Sequence, residues 1–557
     1  MDAYDLFRKL SFGAKFDKKK YYNDALKFQI VQPKCVESQP RPNENLELIE
    51  RKEIETNVNE VSNVVKDDED ADSCKEEDEE KLKLLSCHSE ALLLSKSRKK
   101  KAKKRSKQQL LALEQEQTNH FRKVHRIYIQ GSDVSKPFED FSELSSRYGM
   151  NSTLIQNINA SGYVAPTPIQ MQAIPLMMER REVLACAPTG SGKTAAFLIP
   201  LIHCLGEPQK KGFRAVVVSP TRELAQQTYR ECQKLSEGIG LRIHMIENVS
   251  KAVKKFGPQS SGNFDILVTT PNRLIYLLEQ DPSDINLKNV EWLVVDESDK
   301  LFEDGPKGFR DQLATIYRAC QSTQVRRALF SATFAYDVEQ WCKLNLDNVV
   351  MVTVGAKNAA TDIVGQELVF VGSESGKLMA FRNLLIKGLT PPVLVFVESK
   401  ERAKELFNEL IYDGINVDVI HADRTQVQRE NIVKGFRTGK IWILISTELM
   451  GRGIDFKGVN LVINYDFPSS AISYIHRIGR TGRAGRPGRA VTFFTEEDRT
   501  NLRSIAQVMR DSGCEVPEYM LQMKKQKKMG KRKRKEVQPQ RARISTDPYP
   551  EKRFKRE

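Results

Sequence analysis

No stretch of this sequence approaches the roughly 20 consecutive apolar residues that a membrane-crossing helix needs, so no membrane-embedded role is expected. The opening residues, Met1-Asp2-Ala3-Tyr4-Asp5, lack the basic-then-apolar layout of a secretory leader. Cysteine is sparse and scattered: nine in 557 residues, with no Cys-x-x-Cys pair. That argues against a zinc ribbon or a disulfide framework and leaves reduced thiols in an intracellular protein as the expectation. Acid is missing from residues 96–107, which carry nine basic side chains, and is scarce in 521–557, where fifteen bases face four acids. Residues 67–80 reverse the balance, with ten acids and one lysine. These three segments hold most of the formal charge of +15, leaving about +4 for the rest of the chain. The basic runs suit either phosphate binding by counterion release or nuclear import, and the sequence does not separate the two. Net charge therefore says little about the body of the protein, and its function must be read from motifs.

Residues 1–120 hold the acidic and basic runs and few periodic apolar positions, the pattern of a charged, largely disordered extension. Beyond 121 short apolar runs alternate with helical stretches: EVLACA then TAAFLIPLIHCL, RAVVVS then ELAQQTYRECQKL, DILVTT then NRLIYLLEQ, followed by EWLVVD and RRALFSAT. A second series follows: QELVFV, PVLVFVES, NVDVIHA, KIWILIST, NLVINYD and RAVTFFT. Apolar strands alternating with helices predict a parallel sheet covered on both faces, here twice in tandem, with VGAKNAATD (354–362) as linker. Such sheets bind ligands at the C-terminal ends of their strands.

Ala187-Pro188-Thr189-Gly190-Ser191-Gly192-Lys193-Thr194 follows an apolar strand and opens a helical stretch, the context a P-loop requires. The two glycines let backbone amides approach phosphate oxygens, and the helix N-terminus adds partial positive charge. Lys193 is expected at the β- and γ-phosphates and Thr194 on Mg2+. Ala187 stands where the general pattern has glycine. Val294-Val295-Asp296-Glu297-Ser298-Asp299 ends another apolar strand. Asp296 suits the metal, Glu297 suits deprotonation of an attacking water, and Asp299 suits coupling to neighbouring motifs.

In this order the motifs resemble the DEAD-box branch of superfamily 2 helicases over roughly 162–495. The resemblance implies an α/β fold of two RecA-like domains, each a mostly parallel sheet flanked by helices, at 121–355 and 356–520. Charged, disordered extensions would precede and follow them, the latter a basic tail at 521–557. It further implies ATP and Mg2+ as cofactors and RNA as partner. Gly162-Tyr163 and Pro166-Thr167-Pro168-Ile169-Gln170 resemble the adenine-reading motif, in which the Gln170 amide would pair with adenine. The family places a stacking aromatic 17 residues before that glycine, which here is Ser145; Phe138 and Phe141 lie further upstream as candidates. By the same resemblance Pro220-Thr221-Arg222 and Thr270-Pro271-Asn272-Arg273 grip the RNA backbone, and Ser331-Ala332-Thr333 links ATP state to closure. The family's double-glycine motif is not evident around His244–Gly257.

The second series carries Val395–Lys400, Gln426-Val427-Gln428-Arg429, Ser446–Asp455 and His476-Arg477-Ile478-Gly479-Arg480-Thr481-Gly482-Arg483. Arg480 and Arg483 would be arginine fingers, planar forks suited to phosphate oxygens. Asp455 would touch the ATP ribose, Arg429 and Thr447 the RNA, and His476 would join Asp299 in coupling. Hydrolysis would then need closure across RNA. Backbone grip without base reading implies little sequence preference.

The family's usual alanine after the two acids is Ser298 here. The run Asp296–Gly305 and the opening Met1–Leu10 resemble a ribosome-assembly branch of the family, which implies a nuclear, nucleolar protein acting on small-subunit pre-rRNA with assembly-factor proteins. An ATP-regulated RNA clamp or scaffold with little unwinding would carry the same motifs. A DNA translocase is disfavoured by the adenine motif and HRIGRTGR.

Overall fold

The computed structural model describes residues 109–257, 260, 262–280, 285–302, 309–333, 336–356, 363–448, 456, 458–483, 486–523 and 541–544. Residues 1–108 and the acidic and basic runs within them lie outside that set. Two sheets form, one from each apolar series.

The first sheet contains β1 (Ile127–Gln130), β2 (Val183–Cys186), β3 (Ala215–Val218), β4 (Ile243–Met245), β5 (Ile266–Thr269), β6 (Trp292–Val295), β7 (Arg326–Ser331) and β8 (Val350–Val354). Its order is β1-β8-β2-β7-β6-β3-β5-β4. All described pairings are parallel except β1 with β8, where Ile127 faces Val354. Strands β2, β3, β5 and β6 are buried at every position. Successive side chains point to opposite faces, so Ala215 and Val217 enter one apolar cluster while Val216 and Val218 enter the other. Helices cover both, which is why these strands read as unbroken apolar runs.

The second sheet contains β9 (Val364–Phe370), β10 (Val393–Val397), β11 (Val417–Ile420), β12 (Ile443–Thr447), β13 (Leu461–Asn464) and β14 (Gly488–Phe494), in the order β11-β12-β10-β13-β14-β9 and parallel throughout. Leu394 and Phe396 face one cluster, Val393, Val395 and Val397 the other. Each such side chain contributes roughly 1.5–3 kcal/mol on burial.

The structure amends the reading at three edges. A helix over 109–124 precedes β1, so order begins before the expected boundary at 120. It is tied down by Lys136–Glu114 (2.8 Å) and by Arg122, which donates to Gln172 (3.0 Å) and to the Ser135 carbonyl (3.0 Å). Val354, the first residue of the expected linker, is the last of β8. Residues 541–544, inside the stretch expected to be a disordered tail, pack on the second domain through the Arg541 side chain and buried Ile544. Among the described residues no helix is long and apolar enough to cross a membrane, and no disulfide joins any of the six described cysteines.

Candidate functional site

Strand order decides which motifs become neighbours. The P-loop follows β2, Ser331-Ala332-Thr333 ends β7, and the acids follow β6, on three adjacent strands spaced about 4.8 Å apart. Pro220-Thr221-Arg222 follows β3 and Thr270-Pro271 follows β5, next along the same end of the sheet. Parallel strands put all five loops at one rim.

The P-loop turns through Gly190 and Gly192, with φ of 78° and 84°, into the helix Lys193–Leu205. A Cβ at 192 would also lie 2.5 Å from Gln170 Nε2, so glycine is required twice over. Lys193 Nζ donates to the carbonyls of Ala187 (2.7 Å) and Pro188 (2.9 Å), and desolvation pulls its ammonium below the ordinary lysine range against the pull of Asp296. Gln170 is buried, its Oε1 accepting from Thr167 N–H (2.9 Å) and its Nε2 donating to Gly192 O (3.1 Å). One N–H and one lone pair of that amide stay uncommitted by these bonds, and the amide links the Pro166–Gln170 segment directly to the P-loop.

Asp296 Oδ1 accepts from Glu297 N–H at 2.9 Å. Burial, then the neighbouring Glu297, pushes the Asp296 carboxyl up to about 7, with Lys193 opposing. Glu297 sits in the left-handed region at φ 47°, uncommon for a non-glycine residue and a conformation that surrounding structure must impose. Its Oε2 is buried with no hydrogen-bond partner among the described residues, and so is Ser298 Oγ. A buried carboxylate oxygen without a donor marks where a water or ligand hydrogen belongs.

The second domain closes on this rim. Asp299 Oδ2 accepts from Thr333 Oγ1 (2.8 Å) and lies 2.5 Å from His476 Nε2 of the other domain. Thr189 of the P-loop donates to Gly479 O at 3.1 Å. Arg480 and Arg483 bond back to the His476 and Gly479 carbonyls of their own segment (3.1 and 3.0 Å). They line a cleft of about 1200 Å3 together with Thr189, Gly190, Lys193, Thr194, Asp296 and Glu297.

Of the residues read as RNA contacts, Thr221 caps the helix Arg222–Leu235, accepting from Leu224 N–H (3.3 Å), and Arg273 donates to Ile246 O. Thr447 ends β12. Arg429 instead pairs with Glu223 across the domain joint at 2.5 Å, a contact no sequence period announces. Phe138 and Phe141 are both buried in the core with ring centroids 5.8 Å apart, so neither offers a free face for adenine as packed. Asp455 lies outside the described residues. Two residues named in motifs but given no role of their own are also engaged: Glu448 accepts from Ser473 (2.6 Å) and Arg477 (3.2 Å), and the Tyr163 hydroxyl donates to Glu231 (2.7 Å) at the cleft.

A P-loop and strand-end acids on one sheet, met by paired arginines from another, define a two-domain nucleotide hydrolase whose site is completed at the joint. Residues 167–341 match the DEAD/DEAH box helicase family and residues 376–485 the helicase conserved C-terminal domain. The chain is 56% identical over 570 residues to the probable ATP-dependent RNA helicase DDX52 of Bos taurus, covering 98% of this chain and 95% of that protein. The Mus musculus DDX52 is 54% identical over 566 residues, covering 96% and 93%. The fold is similar to that of Saccharomyces cerevisiae Dbp5 bound to RNA and ADP BeF3, with a TM-score of 0.59 and 27% identity over 72% of this chain and 100% of that one. The chain belongs to the DEAD-box ATP-dependent RNA helicases.

Proposed function

We propose that this helicase clamps RNA across its two domains and separates short duplexes locally as ATP closes them. The observation that carries the reading is Asp299, which bonds Thr333 within its own domain and His476 from the other. A group shared between domains makes the state of the nucleotide loop and the state of closure one event.

In this reading Lys193 and the backbone of Ala187–Thr194 hold the phosphates, and Gln170 reads adenine with its remaining N–H and lone pair. Thr194 and Asp296 would hold Mg2+, which when bound offsets charge on the phosphate oxygens. The donor set fits: one hydroxyl and one carboxylate suit a cation that fills its shell with phosphate and water, and the raised Asp296 carboxyl is where positive charge is needed. Glu297 takes the proton of the attacking water as the bond from the γ-phosphorus to the bridging oxygen breaks, giving ADP and phosphate. Arg480 and Arg483 stabilise the charge on the transferring group. Pro220, Thr221, Arg222, Thr270, Pro271 and Arg273 hold RNA backbone from one side and Thr447 and Arg429 from the other, Arg429 exchanging Glu223 for phosphate. A strand bent to follow both rims no longer fits an A-form duplex, so closure separates a few base pairs and hydrolysis resets the clamp.

The basic runs at 96–107 and 521–557 and the resemblance of Asp296–Gly305 support a nuclear, nucleolar site of action on pre-rRNA in small-subunit precursors, alongside assembly-factor proteins. Two measurements test the reading. ATPase with and without RNA, run beside release of a short labelled strand, should show RNA-stimulated turnover with release; turnover without release would leave a clamp and remove the unwinding. Imaging of the tagged chain with crosslinked-RNA mapping should find nucleoli and pre-rRNA, and a cytoplasmic pool on other RNAs would remove that assignment.

A further inference from the structure

Four residues far along the chain, Arg541-Ala542-Arg543-Ile544, seat on the second domain in a socket built from carboxylates. Arg541 is nearly buried, its side chain 7% exposed, and its guanidinium meets Glu374 (2.8 Å), Asp498 (2.9 Å) and Glu398 (3.1 Å). Arg402 donates to the Ala542 carbonyl (2.5 Å), and Ile544 N–H donates to Glu405 (3.0 Å). The Ile544 side chain joins the apolar cluster that holds Phe381, Val397 and Leu406. Charge, backbone and apolar recognition therefore coincide on one short segment.

The socket belongs to a larger network. Arg402 forks onto both oxygens of Asp466 at 2.7 Å, and Lys377 bonds Glu374 (2.7 Å) and Asp466 (3.2 Å). Lys377 and Arg402 pair with Glu374 and Asp466, whereas Glu398 and Asp498 are met by Arg541, which also shares Glu374 with them. The guanidinium thus supplies the third cation to four carboxylates, three of which follow adjacent strands: Glu398 after β10, Asp466 after β13 and Asp498 after β14. Those strand ends reach the functional site. Glu398 N–H donates to Asp466 Oδ2 (2.9 Å), and Glu398 directly follows Val397, the register partner of Thr447. The Asp466 carbonyl accepts from Arg477 (2.8 Å), which is next to His476 in the helix leading to both arginine fingers.

We propose that Arg541 is a positioning residue for RNA-dependent closure: the docked segment binds the ends of β10, β13 and β14 together and so sets the placement of Thr447 and of the helix carrying His476. The proposal rests on the helicase reading above. It is tested in the full chain by R541A and I544A, with ATPase followed over RNA concentration, with RNA absent, and with a peptide of residues 538–547 added in trans. The RNA concentration for half-maximal stimulation should rise about fivefold or more in both variants, with KM for ATP and the RNA-independent rate unchanged. The peptide should restore R541A toward wild type and leave wild type unaffected, because there the socket is filled. Half-saturation unchanged in both variants overturns the proposal. So does a rise matched by equal loss of RNA-independent turnover that the peptide does not reverse, since that is the behaviour of a plain structural staple. If wild type shows no RNA stimulation, the helicase reading has failed; the docking is then judged by anisotropy of the labelled peptide, which should bind R541A and not wild type.

Discussion

Ser298 places a hydroxyl where nothing receives it: the side chain is fully buried and its Oγ has no hydrogen-bond partner among the described residues. A buried hydroxyl without a partner costs about 1–3 kcal/mol relative to a satisfied one, and removing it recovers part of that. S298A should therefore leave stability equal or raise it by about 1 kcal/mol, with turnover within about twofold, read by thermal melting and steady-state ATPase. A clear loss of either would mean that the hydroxyl does work in closure. Its neighbour Glu297 is the opposite case, an acid held at φ 47° with one oxygen unpartnered. E297Q keeps shape and backbone but cannot take a proton, so turnover should fall by about 10²–10⁴ while the ATP-bound RNA complex persists in a gel shift. Unchanged turnover would remove Glu297 as the base.

At the scale of elements, Asp466 lies after β13 at the centre of the charge network. Burial alone would raise its carboxyl, but Arg402, Lys377 and Arg541 overcome it and hold the group down at about 2. Its folded pKa lies below the unfolded one, so between about pH 4 and pH 2 the unfolded chain binds more protons. The contribution, about 2 kcal/mol, is present above pH 4 and lost as pH falls through that window. D466N should remove that acid-sensitive part and cost about 3–5 kcal/mol at neutral pH by leaving buried cations short of a partner; acid titration of unfolding for both proteins checks it. Neither the network nor its closure by Arg541 was legible in the sequence, because ion pairing between distant segments has no period. The central strands were legible for the converse reason: burial on both faces writes an unbroken apolar run, as in Ala215–Val218. The three-residue β4 and the half-exposed edge strand β1 leave no such mark. The P-loop and the acids could be found because their backbone and charge requirements fix residue types at short spacing. The burial of Phe138 and Phe141 could not, since both read as available in sequence and are core residues in the fold.

For the whole molecule the question is whether the two domains work in the joined arrangement, and one backbone contact makes that testable. Gly479 packs so close to the P-loop that a Cβ there would lie 1.9 Å from Thr189 Oγ1 and 3.0 Å from Thr189 Cβ. Gly479 is not in a left-handed conformation, and within its own domain an added Cβ meets the Ile475 carbonyl at 3.0 Å, a tight approach, so the severe overlap arises only on closure. G479A should therefore melt within a few degrees of wild type and bind ATP on the first domain, yet lose about 10²-fold or more in RNA-stimulated turnover, because Arg480 and Arg483 cannot reach the P-loop. T189A removes the worst overlap but leaves the 3.0 Å approach, so the double variant should recover part of that loss. Residues in contact couple and distant ones add, which makes the double-mutant cycle the measurement of choice. A coupling near zero, with G479A as active as wild type, would mean that turnover proceeds through a different meeting of the two domains. A coupling of about 1 kcal/mol or more, with melting unchanged, would identify this joint as the one in which ATP is cleaved.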